Sequence, residues 1–165
     1  MAKIRIKRNT NGDTRTADHI PTIKEFGESN NLHCKDVLNI MHFMADNLRD
    51  AGEKHDWTKT TEPYKSMFYK DFINTMEEEM EFTDGEWYEQ HCGVNERHHL
   101  DVYVPEDVNL VDVIEMMCDF VAAGLARTGE VGTFTLDANT LSAAIANTLT
   151  MIENKCEVIG DDDSE

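Results

Sequence analysis

The chain of 165 residues is poor in the features that would divide, staple or anchor it. It has three prolines, no proline- or glycine-rich linker and no internal repeat, so it reads as one domain long enough to bury a core. Its four cysteines, Cys34, Cys92, Cys118 and Cys156, form no CxxC pair. That argues against a disulfide framework and a structural zinc ribbon, and for reduced thiols in a cytoplasmic protein. No signal-peptide pattern and no membrane-length apolar run appears. Positive charge is scarce: 15 Lys and Arg against 33 Asp and Glu leave a net charge of -18. This balance argues against a nucleic-acid polymer or an anionic membrane as the main partner, since both require a basic surface. A small phosphorylated substrate is still compatible with it, provided a bound cation supplies the local positive charge.

Five of the fifteen basic residues, Lys3, Arg5, Lys7, Arg8 and Arg15, fall in the first fifteen positions. They read as a solvated arm, or as an arm that folds back on a substrate phosphate or an acidic face. Residues 1–28 are expected to form this extended N-terminal arm, with a short alternating strand at 2–8. The last ten residues, 156–165, are expected to be an acidic disordered tail.

Residues 29–155 carry helical periodicity throughout. Ser29 or Asn30 is a candidate cap for a helix to Arg49, with a stripe of Val37, Met41, Met44 and Leu48 and a stop at Gly52. Thr60 or Thr61, with Pro63, opens a helix that ends near Phe82. Asp84 is a candidate cap for a helix through Trp87 and His91. Asn109 caps the most regular helix, whose stripe is Leu110, Val113, Ile114, Met117, Val121 and Leu125, and Gly129 ends it. A last helix spans about 137–154. The expected fold is all-α, a bundle of about five to six helices with a short extended N-terminal arm. Its long apolar helices would allow a homodimer.

The histidines carry the chemistry. His33 precedes the Val37 stripe, and His55-Asp56 opens the run His55-Asp56-Trp57-Thr58-Lys59. Trp87, His91, Asn95 and the doublet His98-His99 follow, and Asp119 interrupts the apolar run around Cys118 and Phe120. Histidine and carboxylate are the ordinary ligands of catalytic metals, and Asp119 in apolar surroundings needs a partner. Adjacent residues of a regular helix cannot both face one small site, so one member of the doublet is expected to ligate and the other to support; His98 is taken as the ligand. Glu115, one turn before Asp119, is placed to orient a ligand or a water. Lys59 is a candidate phosphate contact, and Asn95 and Arg97 are weaker ones. Trp87 reads as packing rather than as a stacking platform for a base.

His33, His55-Asp56 and Asp119 resemble the H…HD…D signature of the HD-domain metal-dependent phosphohydrolase superfamily. The run His55 to Lys59 is also similar to the HD-x-x-K of its cyclic-dinucleotide-cleaving branch, but the GYP-type motif of that branch is absent. A closer likeness is to an uncharacterised family of small phage and bacterial proteins. Its pattern is an early His, HDxSK, WxxxHxxxNxxHH and EMxxD, matched here by His33, His55 to Lys59 with Thr58 for serine, Trp87 to His99, and Glu115-Met116 with Asp119. The likeness covers about residues 30–127.

The resemblance implies an HD-like helical domain holding one or two divalent ions (Mn, Fe, Mg, Co or Zn). His33, His55, Asp56 and Asp119 would hold the first, and Asp56 would bridge to a second held by His91 and His98. Asp56, Lys59, His99 and Glu115 would serve the chemistry, in which a metal-activated water hydrolyses a nucleotide or related small phosphorylated substrate in the cytoplasm of a host cell. Two other readings fit the same residues: an HD-like di-iron oxygenase, and a non-enzymatic acidic phage protein that binds a host or defence factor.

Overall fold

The computed structural model describes residues 2–9, 11–13, 15–77 and 80–160. It is mostly helical and divides into two compact units. One comprises the chain up to Asp46 together with the chain from Leu149; the other is Asn47–Thr148.

In the first unit, strand β1 (Ile4–Lys7) pairs in parallel with strand β2 (Cys156–Ile159), with Ile4 opposite Cys156 and Lys7 opposite Ile159. The pairing is reinforced by an ion pair between Arg5 and Glu157 at 3.1 Å, and Lys3 donates to the carbonyl of Asn154. Residues 156–159 are therefore strand, not the start of an unstructured tail; positions 161–165 lie outside the described residues. The basic N-terminal segment supplies the partner edge, so the pairing adds the Arg5–Glu157 charge contact to the backbone hydrogen bonds.

Helix α1 (Ile23–Lys54) begins six residues before Ser29. Thr22 and Glu25 form a reciprocal cap: the Thr22 amide donates to the Glu25 carboxylate at 2.8 Å, and the Glu25 amide donates to the Thr22 hydroxyl at 3.3 Å. Gly52 does not stop the helix. Val37 and Met41, expected on a buried stripe, are 41% and 62% exposed.

The second unit takes in the last turns of α1, then α2 (Trp57–Thr60), α3 (Tyr64–Met76), a tight turn at Phe82–Asp84 and α4 (Glu86–Gln90). A π-helical turn, His91–Asn95, continues α4, and a loop leads to α5 (Leu110–Thr128). Helix α6 (Ala138–Lys155) starts in this unit. Asn109 and Asp112 form the capping box of α5, and Gly129 closes it in the left-handed conformation at φ 78°. The Asp137 carboxylate accepts from the Thr140 amide at 2.9 Å to start α6.

The core is small: Leu100, Val108, Val113 and Ala144, with Leu110, Met116 and Leu136 against it. The α5 stripe is buried only at its start. Ile114, Met117, Val121 and Leu125 are all exposed. Phe68, Phe82 and Trp87 form a separate aromatic cluster beneath α4. Among the described residues no helix is long and apolar enough to cross a membrane.

Candidate metal centre

The break between α1 and α2 places the first two site residues. His55 and Asp56 lie there, and Asp56 adopts φ 55°, ψ 27°. A left-handed backbone at a non-glycine residue costs on the order of 1 kcal/mol, and such residues cluster at functional sites. Aspartate tolerates it better than most side chains. The kink lets His55 and Asp56 face one site although they are neighbours in sequence.

The π turn does the same for His91. Its carbonyl accepts from the Glu96 amide, five residues on, at 3.0 Å, and such turns are concentrated at functional positions. Trp87, one turn earlier and 2% exposed, stacks on the His91 ring with centroids 4.2 Å apart. The Thr58 hydroxyl lies 2.6 Å from His91 Nδ1. With Nδ1–H donating to Thr58, Nε2 is the lone-pair nitrogen, and it points at Asp56 Oδ1, 3.3 Å away.

The doublet lies on an irregular loop, so the helical restriction assumed from sequence does not apply. Both rings enter the site. His99 Nε2 is 2.8 Å from His91 Nε2, and His98 Nε2 is 3.9 Å from Asp56 Oδ1. Asp56, His91, His98 and His99 thus form one group whose donor atoms lie within 4.8 Å of one another. Two further groups adjoin it: His55, Asp56 and Asp119, and His55, His98 and Glu115.

Asp56 links the first two groups. Its Oδ1 faces His91 and His98, while its Oδ2 lies 3.3 Å from His55 Nε2 and also pairs with Lys59. Asp119 reaches His55 Nε2 at 3.6 Å. Glu115 holds two rings from behind: its Oε1 hydrogen-bonds His55 Nδ1 at 3.0 Å and lies 3.2 Å from His98 Nδ1, in ion-pair range but out of hydrogen-bond alignment.

The protonation pattern suits a cation. Burial, with His99 nearby, pushes His91 down to about 3, and burial also lowers His99. Both rings are therefore neutral, as ligation requires. Burial alone would raise Asp56, but hydrogen bonds from His55 and Lys59 outweigh it and hold the carboxyl well below the usual range. His55, hydrogen-bonded to Asp56 and then Glu115, is raised to about 10. In the metal-free site its proton supplies positive charge that an ion would replace. Asp56 Oδ1 and His98 Nε2 are buried without any hydrogen-bond partner, which is costly unless something completes them. An ion held by these donors would do so, and the residues fit one.

His33 belongs to none of these groups. It is exposed on α1 in the first unit, where it lines a cavity with Arg8, Asn9 and Asp36. Asn95 donates to the Gln90 carbonyl at 3.0 Å and closes the π turn. Arg97 is engaged by Asp112 and Asp107. Neither is available as the phosphate contact expected from sequence.

Three supporting residues had no role assigned to them from the sequence. Thr58 orients His91. Glu96, 7% exposed and raised by burial, approaches His98 Nδ1 at 3.8 Å. Asp71, 4% exposed, accepts from the Trp87 amide at 2.8 Å and so anchors the start of α4. The only sequence signal for Asp71 was a carboxylate between Phe68 and Phe72 on a helix.

A family model described as a family of unknown function (DUF5662) matches residues 22–159. The chain belongs to this family. No curated protein and no solved structure matches it. The match takes in every residue of the three groups.

Proposed function

We propose that this protein is a metal-dependent phosphohydrolase acting on a nucleotide or related small phosphorylated substrate. The observation that carries this reading is the convergence of Asp56, His91, His98 and His99 with two buried donor atoms unsatisfied. Mixed nitrogen and oxygen donors suit Mn, Fe, Co or Zn better than an ion such as Mg, which prefers oxygen alone. The two oxygens of Asp56 address different groups, which supports one ion or two. His91, His98 and His99 would hold one, and His55 and Asp119 the other. Such an ion lowers the pKa of water toward neutrality.

The chain's own residues do the rest. Thr58 fixes the tautomer of His91, and Glu115 orients His55 and His98. His99 Nε2, within hydrogen-bond distance of His91 Nε2, is placed to ligate or to carry a proton. Lys59, beside Asp56 Oδ2, is placed to attract phosphoryl oxygens. The exposed apolar residues of α1 and α5 support self-association as a homodimer, which sedimentation would measure.

The test is elemental analysis of untagged protein, followed by phosphate release across a nucleotide panel. Stoichiometric metal in the wild type, lost in Asp56→Ala and His91→Ala together with metal-dependent phosphate release, is the expected result. Protein that takes up no metal from manganese, iron, cobalt or zinc would overturn it. Iron with a visible chromophore and no phosphate release would replace the hydrolase by an oxygenase.

A further inference from the structure

We propose that a cavity along the C-terminal half of α5 seats the nucleoside part of a nucleotide whose phosphate reaches the metal groups. This rests on the phosphohydrolase reading and names its substrate class.

Among the described residues, two cavities that adjoin the metal groups both include Asp119. The first, of about 330 Å³, has His55, Glu115 and Asp119 in its lining; its other residues are aliphatic or small, such as Leu48, Ile114 and Ala122. It offers no hydrogen-bonding side chain beyond the metal groups and Cys118, so a polar heterocycle would lose water there with little return.

The second cavity, of about 410 Å³, combines His98, His99 and Asp119 with Phe120, Arg127 and Thr128. Asp119 and Arg127 are eight residues apart on one helix, roughly 12 Å along its axis. A ligand touching both is longer than a phosphate and comparable to a nucleoside monophosphate. The Phe120 ring is braced edge-on by Phe134, with centroids 5.4 Å apart, and a braced ring in a cavity wall is a platform for a flat base.

Arg127 gives the second, independent argument. Arg5, Arg15 and Arg97 each hold a carboxylate. The Arg127 side chain makes no ion pair or hydrogen bond among the described residues, in a chain of net charge -18. Its fork of donors suits paired acceptors such as the keto and ring-nitrogen edge of a base.

The experiment is calorimetry on metal-loaded protein with non-hydrolysable phosphonate analogues of the four nucleoside monophosphates and of ribose 5-phosphate. The expected result is that at least one nucleotide analogue binds tenfold or more tightly than the base-free sugar analogue. Phe120→Leu and Arg127→Ala should remove that gain while retaining wild-type metal content, and Arg127→Lys should restore only part of it. A nucleotide that binds no better than the sugar, or a gain that persists in both variants, overturns the subsite. Hydrolysis of small phosphoesters without a base-dependent gain would sink the subsite and spare the hydrolase. A base-dependent gain without phosphate release from any nucleotide would do the reverse.

Discussion

Thr58 Oγ1 lies 2.6 Å from His91 Nδ1, and this bond decides which nitrogen of His91 faces Asp56. Thr58 is fully buried, so no water can take its place. Thr58→Val keeps the shape and removes the hydroxyl. It is expected to weaken metal affinity by about 10- to 100-fold, the usual effect of losing a residue that orients a histidine ligand. Thr58→Ser should bind metal nearly as the wild type does. Equal affinities for the valine and serine variants in a metal titration would show that Thr58 only fills space.

Arg97 grips Asp112 with two bonds, Nε to Oδ1 at 2.8 Å and Nη2 to Oδ2 at 2.9 Å. Asp112 is 5% exposed and also accepts from the Asn109 amide at the start of α5. Arg97→Met would leave that carboxylate buried without its counter-charge. A fully buried pair broken in this way costs about 3–5 kcal/mol. Arg97 is 42% exposed, so the expected loss is nearer ~2 kcal/mol. For a chain of this length that lowers the melting temperature by about 4–8 °C. Unchanged melting together with weaker phosphate binding would return Arg97 to the ligand-contact role read from the sequence.

What the sequence revealed and what it concealed differ in physical range. Helix α5 was legible because its cap, Asn109, and its stop, Gly129, are local signals. The stacking of Trp87 on His91 follows from their spacing of one turn. The joint placement of His55 and Asp56, and of His98 and His99, was harder to read. It depends on a left-handed residue in one case and an irregular loop in the other, neither of which has periodicity. Strand β2 was hidden because four residues carry little pattern and their partner lies some 150 positions away. The exposed half of the α5 stripe looks in sequence like any buried one, since amphipathicity names an apolar face but not what covers it.

Gly85 packs directly on Asp71. A methyl group at Gly85 would overlap the Asp71 carboxylate that accepts from the Trp87 amide. The backbone there is ordinary, φ -73°, so the constraint is space and not conformation. Gly85→Ala is expected to cost about 1–3 kcal/mol by overpacking, and Asp71→Ala about 1 kcal/mol for the lost amide acceptor. The double variant should be less damaged than the sum by about 1 kcal/mol, because removing the carboxylate frees the space the methyl needs. Denaturant unfolding of the four proteins measures the coupling, and strict additivity would mean that the two residues do not meet.

His55 makes the stability of the metal-free protein fall on the alkaline side. Its hydrogen bonds to Asp56 and Glu115 raise it to about 10, above the usual 6.5. The stabilisation from its charged form is therefore complete below about pH 6.5 and is lost as pH rises toward 10. Glu115 acts at the other end. Burial alone would raise it, but the hydrogen bond from His55 and the His98 ring beside it hold it at about 2 against the usual 4.5. Its contribution is present above 4.5 and disappears as pH falls toward 2. His55→Gln should lower the melting temperature near pH 6 and flatten its decline between pH 6.5 and 10. Saturating metal should flatten the same limb in the wild type, since binding displaces the His55 proton, and the apparent metal affinity should tighten as pH rises. Thermal melts across that range, with and without metal, decide the point. An alkaline limb equally steep in His55→Gln would assign it to other groups.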